Sequence, residues 1–233
     1  MADGDHAATA AEAVAHRLRQ DIVAGDLAPA AKLRLRDLVE RYGIGTTPLR
    51  EALSRLVAEG FVNGEGQKGF SVPPVTRAHL LDITRTRQML EPEALRLAMQ
   101  AGDAAWEDGI VASLSLLKRE IERRDPANPA WQDSYEAKHH RFHRALIAAC
   151  PLRSLTGFCD ELYVQMTRYR RVMKTVLVDW NRATPVHENL ATLALARDEA
   201  TAMAALREHI GTTADHVLPV LFGPDGQDPR DLP

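Results

Sequence analysis

The chain has 233 residues, is 45% hydrophobic and only 5% aromatic, which is enough apolar content for one large core or two modest ones and favours helix over sheet. A net charge of −3, with a pI near 6.3, excludes a uniformly basic nucleic-acid binder, so any such surface must be local. Two cysteines, Cys150 and Cys159, exclude a disulfide framework and a cysteine-based zinc site and read as buried thiols. The lack of an apolar run of membrane-spanning length and the polar, acidic Met1–Thr9 stretch point to a soluble cytoplasmic protein with no membrane partner.

In chain order, residues 8–24 place Val14, Leu18, Ile22 and Val23 at helical spacing and stop at Gly25-Asp26, which predicts a first helix. A second, short helix is expected from Leu33 to Tyr42, with Leu35, Leu38, Val39 and Tyr42 apolar and Gly43 ending it. The third helix is expected from Thr46 to about Gly60, with Pro48 in its first turn and Thr46 or Thr47 as cap. Leu49, Leu53 and Leu56 mark its buried face, while Thr46, Thr47, Arg50 and Ser54 share another. Short hydroxyls and an arginine near a helix N-terminus are what a DNA-reading helix needs, because N-terminal side chains reach base edges while hydroxyls, arginine and backbone N–H groups hold phosphates. From Lys32 to Arg55 six Lys/Arg face three acids, a local basic excess inside an acidic chain. Three such helices with tight turns form a helix-turn-helix core.

The stretch from Phe61 to Pro74 has apolar ends around a glycine-rich middle and predicts a β-hairpin wing, with Lys68 at its tip. From Thr76 onward the strand signal is gone. Long amphipathic helices are expected near 76–101, 104–124, 129–149, 152–177, 182–196 and 198–220, broken at Gly102, Pro126/Pro129, Pro151 and the Asp179–Pro185 region. The fold class is therefore mainly α. The expected divisions are a winged helix-turn-helix over 1–75, an all-helical domain over 76–222 and a Gly/Pro/Asp-rich tail over 223–233 without fixed structure.

The succession Gly25-Asp26-Leu27-Ala28-Pro29, Leu38 to Gly43, Pro48-Leu49-Arg50-Glu51-Ala52-Leu53, Leu56, Glu59-Gly60 and Lys68-Gly69 resembles the winged helix-turn-helix of GntR-family bacterial transcription regulators. The helical remainder is similar to the FCD effector domain of the FadR subfamily. The resemblance implies operator contacts by Arg36, Arg50 and the wing around Lys68 and Gly69. Where the family pattern has serine or threonine followed by arginine, this chain has Gly45-Thr46, so one DNA-contacting arginine is missing.

Six of the nine histidines lie between 139 and 216. His139 and His143 are four apart and share one helix face, which gives half of a metal coordination shell. His187 and His209 fall on later helices, where convergence would complete a nitrogen site for zinc, nickel, cobalt or copper. By spacing alone such a pair is equally a solvated or core-satisfied one. The resemblance adds that many FCD domains bind a divalent metal through an Asp-x-x-x-His pair and two later histidines. His143, His187 and His209 match three of these positions, and His139 replaces the aspartate. Four neutral imidazoles leave the metal's charge uncompensated, which disfavours manganese and attracts an anion. Arg87 matches an arginine that in this subfamily helps hold an effector carboxylate; the alternative is a surface i,i+4 pair with Glu91. His140 and His216 are left as surface or core residues.

The expected function is a homodimeric, ligand-responsive regulator that binds double-stranded, near-palindromic operator DNA, senses a small organic acid and holds zinc, with nickel or cobalt as substitutes. Two rivals remain on sequence grounds: a metal-dependent hydrolase with Glu136 or Glu188 as general base, and a regulator whose metal is structural only.

Overall fold

The computed structural model describes residues 3–64, 69–172 and 180–223; Lys68 and all but the first residue of the expected tail lie outside them. The chain divides into two compact units, Met1–Thr76 and Arg77–Pro233.

In the first unit, helix α1 (Asp3–Ala24) begins five residues earlier than its apolar periodicity indicates and turns Ala11, Val14, Ala15, Leu18 and Ile22 inward. Helix α2 (Leu35–Tyr42) buries Leu38 and Tyr42 and ends at Gly43, whose φ of 65° is a left-handed conformation that only glycine adopts without strain. Helix α3 (Thr46–Ala58) buries Leu49, Ala52, Leu53 and Leu56 completely. These three helices share one core, and each leucine withdrawn from water stabilises it by roughly 1.5–3 kcal/mol. Polar ties fix the helix ends. The Tyr42 hydroxyl donates to Asp21 at 2.5 Å, Arg41 donates to the same carboxylate at 2.7 Å, and Arg19 pairs with Glu59.

Two local expectations change. Gly45, extended at φ −67° and ψ 161°, is the N-cap of α3, and neither threonine caps the helix. Thr46 and Thr47 are instead the first helical residues and stay exposed. Leu33, read as the start of the second helix, belongs instead to strand β1 (Lys32–Leu33). This strand pairs antiparallel with β3 (Phe70–Ser71), which also pairs with β2 (Asn63–Gly64), giving a three-stranded sheet in the order β1-β3-β2. The hairpin is therefore a wing with one extra strand, and Leu33 is buried beneath it.

The second unit contains six described helices, α4 (Arg77–Ala101), α5 (Ala104–Glu122), α6 (Pro129–Ile147), α7 (Arg153–Val172), α8 (Trp180–Leu195) and α9 (Glu199–Phe222). Asp103, Asn128 and Asp198 cap α5, α6 and α9 by accepting backbone N–H bonds. Helix α4 packs on α9 and α7, α5 on α6 and α8, and α8 on α9.

Helix α4 runs straight through Pro92, which cannot donate to the carbonyl of Gln88. That carbonyl accepts instead from Arg207 Nε of α9 at 3.2 Å, and Gln88 Nε2 returns a bond to the Arg207 carbonyl at 3.0 Å. The clasp needs Gly211, because a Cβ there would stand 2.8 Å from Gln88 Nε2. A proline defect in one helix thus sets its register against the next, and α9 is the helix that carries His209.

Candidate metal centre and DNA-reading helix

The i,i+4 spacing on α6 puts His139 and His143 on the face that also buries Trp131 and Tyr135. Helix α8 contributes His187 and α9 contributes His209, and one nitrogen from each of the four lies within 4.8 Å of the others. His143 Nε2 is 3.2 Å from His139 Nε2 and 3.3 Å from His209 Nε2. Nitrogens bound to one tetrahedral zinc at the usual Zn–N distance stand about 3.3 Å apart, so the spacing is that of co-ligands.

Two of the remaining ring nitrogens are fixed from behind. His187 Nδ1 donates to the Ala183 carbonyl at 2.5 Å, which leaves its Nε2 buried with no partner. His139 Nδ1 meets the Tyr163 hydroxyl at 2.5 Å. Bonds of this kind select the tautomer and aim the other nitrogen as a ligand. Burial first, and then mutual repulsion and the arginines nearby, hold the His139, His143 and His209 pKa values well below the ordinary range; burial also lowers that of His187. All four imidazoles are therefore neutral, the form that binds metal. Converging lone pairs and an orphaned buried nitrogen fit a cation with borderline-soft character, and the all-nitrogen set disfavours magnesium, calcium and manganese.

A cavity of about 490 Å³ opens beside this cluster, with His139, His187 and His209 on its wall. Arg170 lines it too. Its guanidinium is buried, bonded to Glu136 at 3.0 and 2.7 Å and to Thr167 at 2.8 Å. Sequence reading passed over Arg170. It stands seven residues beyond the buried Tyr163 and so on the same helical face, a signal available in the spacing.

Arg87 is placed differently from the expectation. It is 2% exposed, it is not on the cavity wall, and Glu91, itself buried, takes its Nε at 2.5 Å and its Nη2 at 3.2 Å. The i,i+4 pair thus exists, in the interior rather than on the surface, and supplies the counter-charge that the sequence reading sought in a ligand. Arg87 and Arg170 flank the Tyr163 ring at 5.2 and 5.0 Å. His140 turns away to Asp160 at 2.6 Å and stacks on Tyr163, whereas His216 lies on the cavity wall. Neither glutamate considered as a general base is free, since Glu136 is held by Arg170 and Glu188 by Lys118.

In the first unit, Thr46, Thr47, Arg50 and Ser54 are all exposed on α3. The Arg36 side chain is 90% exposed at the start of α2, with only a 3.4 Å contact to Asp37. Gly69 leads into β3 with a φ of 96°. A row of short donors and free guanidinium groups at a helix N-terminus matches the chemistry of phosphate and base-edge contact.

Comparison with known proteins agrees with both units. The family described as bacterial regulatory proteins, gntR family, matches residues 10–72, and the FCD domain family matches residues 82–212. The chain is 42% identical over 205 residues to the uncharacterized HTH-type transcriptional regulator BphR of Paraburkholderia xenovorans (strain LB400), covering 85% of this chain and 81% of that one. It is 34% identical over 217 residues to the HTH-type transcriptional repressor GlaR of Escherichia coli (strain K12), covering 88% and 94%. Among solved structures, E. coli McbR/YncC shares the fold with a TM-score of 0.73 at 24% identity, over 89% of this chain and 96% of that one.

Proposed function

This chain belongs to the GntR family of bacterial transcription regulators, with an FCD domain as its helical unit, and on that premise we propose that it senses a small carboxylate metabolite at a zinc-holding site. The family regulates transcription and is not one of enzymes, which removes the hydrolase alternative. DNA binding belongs to the first unit. Among the described residues no helix is long and apolar enough to cross a membrane, and the protein is assigned to the cytoplasm, where its operator is.

The observation that carries the sensing reading is the cavity of about 490 Å³ opening on three of the four mutually facing neutral histidines. A pocket of that size suits a metabolite, and a purely structural metal needs none. His139, His143, His187 and His209 would hold zinc, or nickel or cobalt in its place. When bound, the ion supplies a positive charge that no protein carboxylate among its ligands cancels. The histidines present their lone pairs, Tyr163 and the Ala183 carbonyl keep two of the rings in the ligating tautomer, and the cavity wall shapes what fits.

The protein acts as a homodimer on a near-palindromic operator, because one reading helix contacts too few base pairs for useful specificity. Arg36, Thr46, Thr47, Arg50 and the wing at Lys68 and Gly69 make the contacts. Effector occupancy changes operator affinity by altering the placement of the two reading heads.

A thermal-shift screen of the zinc-loaded protein against small mono- and dicarboxylates and sugar acids tests the proposal. The expected result is a concentration-dependent rise in Tm for at least one acid, with a change in operator affinity at the same concentrations. A Tm and an operator affinity that no acid moves would reduce the centre to a structural one.

A further inference from the structure

The sensing reading leaves open which side chain recognises the anion. Of the two arginines on the cavity wall, Arg182 is exposed and Arg170 is buried. We propose that Arg170 is the effector's anion anchor and that Glu136 is the internal competitor the effector works against.

The guanidinium of Arg170 is held before any ligand arrives. Glu136 occupies Nε and Nη2, Thr167 accepts from Nη2, and the group lies over the Tyr163 ring with 5.0 Å from Cζ to its centroid. Among the described residues Nη1 has no hydrogen-bond partner, so its two N–H donors remain for a guest in the cavity. A guanidinium pinned along one edge and open at the other is pre-organised for a planar oxyanion, and little side-chain entropy is lost when it binds. The same tyrosine bonds His139 from behind, which ties the anchor to the histidine centre through one rigid ring. Arg87 shares the carboxylate-held edge and the Tyr163 contact, at 5.2 Å, and differs in its place. It stands off the cavity wall, and both its hydrogen bonds go to Glu91. Its charge acts on His143 and His209, and its guanidinium stiffens the Tyr163 ring that Arg170 uses.

Glu136 also faces the cavity, so its carboxylate and the guest's lie in one small space. The repulsion lowers affinity for an anionic guest, and removing the charge while keeping the shape should raise it. This inference rests on the carboxylate-sensing proposal. It is tested on the zinc-loaded full-length chain by isothermal titration with acetate, lactate, succinate, citrate and benzoate, with zinc content measured on every variant.

For whichever of these acids binds the wild type, the Arg170→Gln/Glu136→Gln double variant should lose at least about tenfold in affinity while retaining its zinc, since a charge-assisted bond contributes that much or more. It removes both charges together and so leaves neither buried alone. Glu136→Gln alone should bind more tightly by a few-fold, a gain in function that a folding defect cannot imitate. The Arg87→Gln/Glu91→Gln double variant should change affinity by less than about twofold, the scale of an indirect effect. Wild-type affinity in the Arg170 double variant, weaker binding in Glu136→Gln, or loss of binding in the Arg87 double variant with zinc in place would overturn the assignment. A wild type that binds none of the five acids and shows no response in the wider acid screen overturns the sensing proposal itself, and this assignment with it.

Discussion

His143 is the histidine with a ring neighbour on each side, its Nε2 being 3.2 Å from that of His139 and 3.3 Å from that of His209. Replacing it with alanine removes one of the four ligands, the one whose Nε2 faces two of the others. The His143→Ala chain is expected to bind less than about a tenth of the wild-type zinc at equal free zinc, read by competition with a chromophoric chelator. The metal-free protein should respond to acid in a defined direction. Burial holds all four histidines below their ordinary pKa of about 6.5, so the unfolded chain binds more protons than the folded one as pH falls through that value. Stability from this source is complete above that range and declines below it. Urea midpoints measured in EDTA should therefore be lower at pH 5.5 than at pH 7.5, and an unchanged midpoint would contradict the buried, neutral state. At this scale the sequence was readable where spacing carries the message, as in the i,i+4 pair. It was silent on Arg87, because a buried i,i+4 ion pair and a surface one are written with the same letters.

Among the elements, α3 and the α4–α9 pair show where periodicity suffices and where it does not. The leucine spacing of α3 identifies its buried face, and the exposure of Thr46, Thr47 and Arg50 follows from it. Arg50→Ala should weaken binding to specific and non-specific DNA alike, and should reduce the salt slope of log K by about 1 if its contact is to phosphate. A loss confined to one operator position would show base reading instead. Strand β1 was hidden because Lys32–Leu33 is two residues long and its pairing partner, Phe70–Ser71, lies on the far side of α2 and α3. Short-range pattern holds no information on such a pairing. The breakers Gly102, Pro126 and Pro151 fall between helices and Pro129 opens α6, yet Pro185, expected in a break, lies inside α8, and Pro92 does not break α4, since Arg207 takes over the carbonyl it strands. Gly211→Ala should push the Gln88 amide off the Arg207 carbonyl, a loss of roughly 0.5–1.5 kcal/mol set against a helix-propensity gain of about 1 kcal/mol, so the urea midpoint should move little and the m-value not at all.

For the whole molecule, a net charge of −3 and a basic excess confined to the stretch from Lys32 to Arg55 set opposing demands, since the chain as a whole repels DNA while one local face attracts it. Specificity then rests on a short-range fit that salt screens strongly, and modest changes in that fit translate into large changes in occupancy. The effector response can be held to a strict thermodynamic standard. If an acid bound in the cavity changes operator affinity by some factor, operator DNA must change the affinity for that acid by the same factor, typically about 5- to 150-fold in coupled systems. Titrating the zinc-loaded protein with the acid in the presence and absence of saturating operator, and with operator in the presence and absence of saturating acid, gives the two factors independently. Equality is expected for sites linked through one conformational equilibrium. An acid that binds with the same affinity whether or not DNA is present has no differential interaction with the two states, and however tightly it binds it cannot be the regulatory signal.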